Sequence, residues 1–144
     1  MKALRSLIFL VIASLIACAQ PKDADPTRDP AYTLSNCEFQ FTTSNVCAHL
    51  IWEKRPTDQE NGMFVLEFKN PDDGQFIDPR DQVAADLFMP SMGHGSSAVN
   101  VVKLSPGQYR VSDVHFIMRG DWEIRVQLKN GSTVLEQATM PYRY

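Results

Sequence analysis

Hydrophobic and polar side chains alternate with a period of two along most of the chain after residue 36. This period is typical of strands that bury one face of a sheet and expose the other. The stretches that show it are 37–42, 47–54, 63–69, 83–87, 98–104, 109–118, 122–128 and 134–140. No stretch of useful length has the periodicity of a helix. Seven or eight short antiparallel strands separated by turns predict an all-β fold, an immunoglobulin-like β-sandwich.

Two local signals refine this prediction. Asn130-Gly131 stands between two alternating stretches, and because both residues accept the left-handed conformation, the pair predicts a hairpin with a type I′ turn. Val111 and Val114 fall out of phase with each other. A β-bulge near Asp113 would bring both valines back to one face of the sheet.

The first 17 residues have the pattern of a secretory signal peptide. Lys2 and Arg5 form a short basic region, and residues 7–12 form an apolar stretch. That stretch is too short to span a membrane, and a signal peptide is removed from the mature chain. We therefore expect residues 1–17 to take no part in the fold.

The signal peptide ends at residues 15–18, Leu-Ile-Ala-Cys, which resemble the lipobox of bacterial lipoproteins. The resemblance implies that Cys18 becomes the acylated first residue of the mature chain, held on the membrane by several acyl chains. Ala19, rather than Asp, after the cysteine implies sorting to the outer membrane on its periplasmic side. The alternative is an ordinary signal peptide cut near Ala19, with Cys18 incidental.

Residues 18–35 are predicted to be the lipidated cysteine and a flexible tether. Between 19 and 30 the chain is polar, contains three prolines and has no apolar periodicity, so it cannot bury enough surface to offset the entropy cost of ordering. The remaining residues, 36–144, are of the right length for one domain.

The net charge argues against nucleic acid as a partner. Loss of Lys2 and Arg5 with the signal peptide leaves 12 basic and 17 acidic residues, a formal net charge of −5. Nucleic-acid binding normally requires a basic surface. The membrane, through the lipid anchor, is the expected partner.

Three cysteines are present, and lipidation of Cys18 would leave Cys37 and Cys47 as an even pair. In an oxidising compartment such a pair predicts a disulfide. Two alternatives stay open: the two thiols are free and buried, or they contribute to a metal site.

A segment rich in methionine and histidine follows the fourth alternating stretch. Met89, Met92 and His94 lie within six residues, together with Pro90 and Gly93. Thioethers and imidazole are ligands that copper selects, Cu(I) above all, because soft sulfur suits a soft cation. In an extended strand Met89 and Met92 would point to opposite faces, so only a turn at Pro90 and Gly93 can unite the three donors.

Met118, from a neighbouring loop, would complete this predicted copper site. The Met/His segment contains no carboxylate, which argues against Mg²⁺ and Ca²⁺, and three histidines are few for zinc. The alternative is that Met89 and Met92 fill the core, as methionine often does, and that His94 is an exposed loop residue. The second function class that remains open is a structural or adaptor lipoprotein that docks a protein partner without metal.

No catalytic constellation stands out. Cys47 and His49 fall on one face of a strand but are not expected to aim at each other, and His115 is expected at the surface. No serine sits in a strained nucleophile elbow. The sequence therefore predicts a protein that is not an enzyme, with copper as the one expected cofactor.

Several motifs together resemble the YtkA-like domain, which is related to the FixH group of bacterial membrane-associated proteins. The most specific is a Met-Pro-x-Met-x-His loop followed by Phe-x-Met-x-Gly-x-Trp. The matching residues, within the range 48–128, are Trp52, Pro56, Gly62, Met89 to His94, Gly107 to Tyr109 and Met118 to Ile124.

The resemblance implies a small extracytoplasmic β-sandwich, often encoded beside copper or cytochrome oxidase genes, whose activity is poorly defined. Arg119 departs from the family pattern, which commonly has proline there. Carried over by position, the resemblance singles out six residues: Met89, Met92, His94, Met118, Gly120 and Trp122. It thus implies copper exchange with a donor or acceptor protein.

Overall fold

The computed structural model describes residues 37–144, which form nine strands in two antiparallel sheets. The strands are β1 (Phe39–Phe41), β2 (Val46–Lys54), β3 (Gly62–Lys69), β4 (Gln82–Met89), β5 (His94–Gly95), β6 (Asn100–Ser105), β7 (Gln108–Val114), β8 (Asp121–Asn130) and β9 (Thr133–Arg143). One sheet has the order β1-β2-β3-β7-β6 and the other β5-β4-β8-β9. With β1 set aside as an added edge strand, this is the strand order of immunoglobulin-like sandwiches. The predicted all-β sandwich is confirmed.

The core lies between the two sheets and is rich in aromatic rings. Alternate residues of β3, β4 and β8 point inward, as the period of two requires. The largest fully buried side chains are Trp122, Phe39, Phe41, Phe64, Phe68, Phe116, Leu66, Leu87, Ile124, Leu128, Val111 and Val114. Burial of these side chains is the main favourable term for folding.

The predicted bulge at Asp113 is present. In the pairing of β3 with β7, Gly62 is opposite Val114 and Phe64 is opposite Val111, so the β7 strand holds one residue more than its partner. Asp113 has a φ of 61°, which absorbs the extra residue. As a result Val111 and Val114 are both fully buried.

Two details of the predicted strands are wrong. The strand predicted over 109–118 ends at Val114, because the chain leaves one sheet there and crosses to the other, and residues 115–120 form a loop. A two-residue strand, β5, was not predicted because it is too short to show alternation.

The turn of the β8–β9 hairpin also differs from the prediction. Asn130 is the last residue of β8 and pairs with Thr133, so Gly131 and Ser132 are the central residues of the turn. Gly131 has a φ of 59°, and neither Asn130 nor Ser132 has a positive φ, which is the pattern of a type II′ turn. A register shift after Leu128 places Lys129 opposite Val134 and Asn130 opposite Thr133, so that only Gly131 and Ser132 are left in the turn.

Two contacts fasten the start of the domain. A disulfide joins Cys37 to Cys47, with their Cα atoms 5.5 Å apart. The carboxylate of Glu136 on β9 accepts hydrogen bonds from the backbone N–H of Thr43 at 2.8 Å and from the N–H and hydroxyl of Ser44 at 3.1 and 2.8 Å. Glu136 therefore ties the β1–β2 turn of one sheet to the edge strand of the other.

The predicted signal peptide (1–17) and the segment predicted to be a lipidated Cys18 and its tether (18–35) lie outside the described residues. Among residues 37–144, no helix is long and apolar enough to cross a membrane.

Gly107, in the turn between β6 and β7, is expected to be the most sensitive turn position. Its φ is 72°, and a Cβ there would lie 2.7 Å from the carbonyl oxygen of Phe68. We predict that Gly107→Ala lowers the free energy of unfolding by at least about 2 kcal/mol, since left-handed strain and a backbone clash add. Urea unfolding measures the loss.

Gly131→Ala is the matched control for this prediction. Gly131 also has a positive φ, of 59°, but a Cβ there would meet nothing within 4 Å. Only the conformational cost remains, about 1 kcal/mol. Equal losses in the two variants would contradict the role given to the Phe68 carbonyl.

Candidate functional site

The four predicted metal ligands lie on segments that meet at one end of the sandwich. Strand β4 ends at Met89, and β5 begins at His94 after a short hairpin. Because β8 runs antiparallel to β4, its first residues lie beside the last residues of β4. The 115–120 loop that leads into β8 is therefore next to the hairpin.

The predicted turn between Met89 and His94 is present. The backbone N–H groups of Met92 and Gly93 both donate to the carbonyl oxygen of Met89, at 3.1 and 3.0 Å. Gly93 has a φ of 68°, a conformation that glycine adopts without strain. Met89 and His94 are consequently direct cross-strand partners, so their side chains share the inner face of the sheet.

Met89 is buried, with 3% of its surface exposed. A Cβ atom added to Gly120 would lie only 2.9 Å from Cε of Met89. The thioether therefore packs directly against the loop that carries Met118. The alternative that Met89 fills the core is correct for its burial, and the end of its side chain lies beside that loop.

His94 is half-buried, and a hydrogen bond orients its ring. Nδ1 is 3.2 Å from the carbonyl oxygen of Gly95, and since that oxygen can only accept, Nδ1 carries the proton. In the neutral imidazole this leaves the lone pair on Nε2, the atom that would bind a metal. The ring also makes an edge contact with the indole of Trp122, with centroids 6.5 Å apart.

Trp122 connects the hairpin to the 115–120 loop. Its Nε1 donates to the carbonyl oxygen of Met118 at 3.0 Å, and its ring is almost fully buried. The loop is held a second time by Ser96, whose hydroxyl donates to the carbonyl oxygen of His115. The sequence did not indicate the role of Ser96, because a serine in a loop carries no pattern of its own.

The structure thus brings some of the predicted ligands closer than others. Met89 and His94 face each other, and the Met118 backbone is fixed beside them by Trp122. The side chains of Met92 and Met118 are largely outside, 58% and 41% exposed. His115 is half-buried in the loop rather than on a strand beside Met118.

A polar groove that the sequence did not predict adjoins Met118. Asp58, Arg119 and Tyr144 line two neighbouring cavities of about 390 and 280 Å³, and Met118 and His115 also line the smaller one. No local signal could have revealed it, since Asp58 and Arg119 are 61 residues apart.

The groove is organised around the carboxylate of Asp58. Tyr144 Oη donates to it at 2.8 Å, and the Arg119 guanidinium donates to both of its oxygens at 3.1 and 3.0 Å. The hydrogen bond from Tyr144 and the hydrogen bonds and charge of Arg119 lower the pKa of Asp58 below its ordinary value. Arg119, the residue that departs from the family pattern, is thereby fixed next to Met118.

The donor atoms at this end determine which ions it could hold. Within residues 37–144, with Cys37 and Cys47 joined in their disulfide, no three His, Cys, Asp or Glu side chains are grouped so as to hold a metal ion. A metal at this end would therefore depend on thioether sulfur in addition to His94, which favours a soft ion.

We predict a pH-dependent contribution of Tyr144. Because the pKa of Asp58 is lowered in the folded state, this cluster stabilises the fold at neutral pH and loses that effect as the pH falls through the lowered pKa. Tyr144→Phe should raise the pKa of Asp58 in an NMR titration, and its effect on stability should shrink on acidification. Tyr142→Phe, the control, should leave the pKa of Asp58 unchanged; an equal rise in both variants would contradict the assignment.

Comparison with known proteins adds one finding. The family model described as YtkA-like matches residues 42–127, which include the hairpin, the 115–120 loop and most of β8. No curated protein matches the chain.

Proposed function

Since the chain belongs to the YtkA-like family, we propose that it is a lipid-anchored extracytoplasmic protein that binds Cu(I), as a chaperone or a sequestering module. The proposed site is the Met/His end, the end of the sandwich where the hairpin between β4 and β5 meets the 115–120 loop. The proposed ligands are Met89, Met92, His94 and Met118. The observation that carries the proposal is the pairing of Met89 with His94, with Nδ1 engaged by a carbonyl and Nε2 left as the binding atom.

The donor set suits Cu(I) better than other common ions. Thioethers are soft and uncharged, and they bind hard cations such as Mg²⁺ poorly. A partly apolar site that holds an ion with neutral ligands favours a monovalent cation, because the desolvation cost of a divalent ion is larger.

The exposure of two thioethers suits exchange of the ion. In this proposal Met89 and His94 form the fixed part of the site, and Met92, at the hairpin tip, and Met118, at the loop surface, are the ligands that a partner protein can displace. A donor or acceptor protein could then take over the ion one ligand at a time. Met92 reaches the other ligands only if the hairpin tip folds inward.

The location is part of the proposal. The lipobox-like segment 15–18 and the tether before residue 36 support a domain held near a membrane outside the cytoplasm. The disulfide between Cys37 and Cys47 is in keeping with an oxidising compartment. Labelling with a radioactive fatty acid, lost in Cys18→Ser, tests the anchor.

Cu(I) titration against a chromogenic chelator tests the proposed site. We predict that His94→Gln and Met118→Leu each weaken Cu(I) binding by at least about tenfold, and that Met92→Leu has a smaller effect because this ligand is displaceable. Leucine preserves volume and apolarity, so a loss reports the sulfur atom rather than the packing.

Met89→Leu separates the two roles of the buried methionine. It should leave the free energy of unfolding within about 1.5 kcal/mol of the wild type and still weaken Cu(I) binding. Met140→Leu and His115→Gln are the controls, a methionine and a histidine outside the proposed ligand set. Unchanged affinity in both Met89→Leu and His94→Gln would overturn the proposal.

One observation favours a second function, docking of a protein partner without metal. Met92, Ile117 and Met118 are 58%, 47% and 41% exposed at the same end of the domain, more apolar surface than a solvated loop requires. If this second function is correct, the protein should not bind Cu(I), and Ile117→Asp should abolish partner binding. If the first proposal is correct, Ile117→Asp should leave the Cu(I) affinity unchanged.

A further inference from the structure

A second group of soft donor atoms lies at the other end of the sandwich. Cys47 is at the start of β2, and its Sγ is 3.5 Å from Nε2 of His49. The expectation that these two side chains do not aim at each other is wrong, because residues two apart on one strand face are close enough for an imidazole to reach a sulfur. Cys37 is joined to Cys47 by the disulfide.

Charged residues of β3 lie beside this group on the outer face of the sheet. Lys69 is the direct cross-strand partner of Cys47, and Glu67 is that of His49. The Lys69 ammonium and the Glu67 carboxylate form an ion pair at 3.3 Å with both side chains less than one-fifth exposed. Gln108 Nε2 donates to the same carboxylate at 3.0 Å. The sulfur and the imidazole therefore lie in an ordered, half-buried setting.

We propose that the disulfide masks a second metal site, in which the reduced Cys37 and Cys47 thiolates and the His49 imidazole bind Cu(I). In the oxidised state the two sulfurs are bonded to each other and offer no thiolate. Reduction converts them into two soft anionic ligands beside a nitrogen ligand, the set that favours Cu(I). The site would then bind metal only in reduced protein.

The separations fit such a site. With metal–sulfur and metal–nitrogen distances of about 2.3 and 2.0 Å, a sulfur and a nitrogen on one ion are about 3.5–3.7 Å apart. Cys47 Sγ and His49 Nε2 are already 3.5 Å apart. Only Cys37 has to move, and its side chain, which is only partly buried, comes before the first strand.

The reduction step has a defined direction. A dithiol reductant supplies the two electrons: its thiolate attacks Sγ of Cys37, the less buried of the two residues, and the bond pair leaves on Sγ of Cys47. The second thiol of the reductant then displaces Cys37, which yields a reductant disulfide and two protein thiols. His49, whose Nε2 lies 3.5 Å from Cys47 Sγ, favours Cys47 as the leaving group, since a hydrogen-bonding neighbour stabilises a thiolate.

This site is independent of the Met/His end. The two groups lie toward opposite ends of the sandwich and on different sheets, separated by most of the length of β2, roughly 20 Å at the rise of a strand. One site can therefore fail without affecting the other, and the stoichiometry of binding separates them.

The experiment counts Cu(I) ions bound by the full chain carrying Cys18→Ser, so that Cys37 and Cys47 are its only cysteines. The protein is titrated anaerobically against a chromogenic chelator, before and after reduction with a phosphine that is then removed. Reduction should add one bound ion and a thiolate-to-copper absorption band in the ultraviolet. The same gain should occur in a Met92→Leu/His94→Gln background, in which the first site is weakened.

Matched variants identify the ligands. His49→Gln should weaken the reduction-dependent ion by at least about tenfold and leave binding in the oxidised state unchanged, whereas His115→Gln should change neither. Cys37→Ser/Cys47→Ser should abolish the gain, and thermal unfolding of this variant shows whether it still folds. If it does not, the His49→Gln result decides.

Two results would overturn the proposal. One is no additional ion in reduced wild-type protein whose unfolding transition remains cooperative. The other is a reduction-dependent site that holds Zn²⁺ in the presence of Cu(I), which would mean that a fourth ligand such as Glu67 completes a zinc site instead.

Discussion

The candidate site depends on the packing of one indole. Trp122 is almost fully buried, contacts the rings of Phe116 and His94 with centroids 5.2 and 6.5 Å apart, and donates from Nε1 to the Met118 carbonyl. One side chain therefore holds the hairpin, the 115–120 loop and the core in fixed positions. A buried indole N–H needs a hydrogen-bond partner. Here the partner is a carbonyl oxygen of the 115–120 loop, so the bond holds this loop in position.

A chain of stacked rings closes the same end of the sandwich. Phe116 stacks on Tyr142 and Tyr144, with centroids 4.9 and 5.2 Å apart, and Tyr142 contacts Trp52 at 5.3 Å. Such contacts add to the stabilisation from apolar burial. They hold the C-terminal strand against the loop between β7 and β8. The side chains of Met92 and Met118 remain exposed at this end.

The two ends of the domain offer different chemistry. At one end the proposed donors are uncharged thioethers and an imidazole, which would need no redox change to bind a soft ion. At the other end the proposed donors are two cysteine sulfurs and an imidazole, and the bond between the sulfurs would have to be broken first. In each case the strand geometry places a histidine beside a sulfur-containing residue. His94 is the cross-strand partner of Met89, and His49 lies two residues after Cys47 on the same face of β2.

The sequence by itself determined the fold class and most strands. A strand that buries one face has alternating hydrophobic and polar residues, and this alternation is visible in the sequence. The bulge at Asp113 could also be predicted, because Val111 and Val114 could not otherwise lie on the same face. It also determined that Pro90 and Gly93 turn the chain, since both have strong backbone preferences. These features are local, and a local pattern is enough to reveal them.

The tertiary structure alone decided which donors meet. The Asp58 groove, the bond from Trp122 to Met118 and the Glu136 contact each join residues that are distant along the chain or lie outside any periodic pattern. The one-residue register shift before the β8–β9 turn is equally invisible, because pairing rather than composition selects it. Contacts of this kind arise from how two sheets and their connecting loops pack, and no single stretch of sequence encodes that packing.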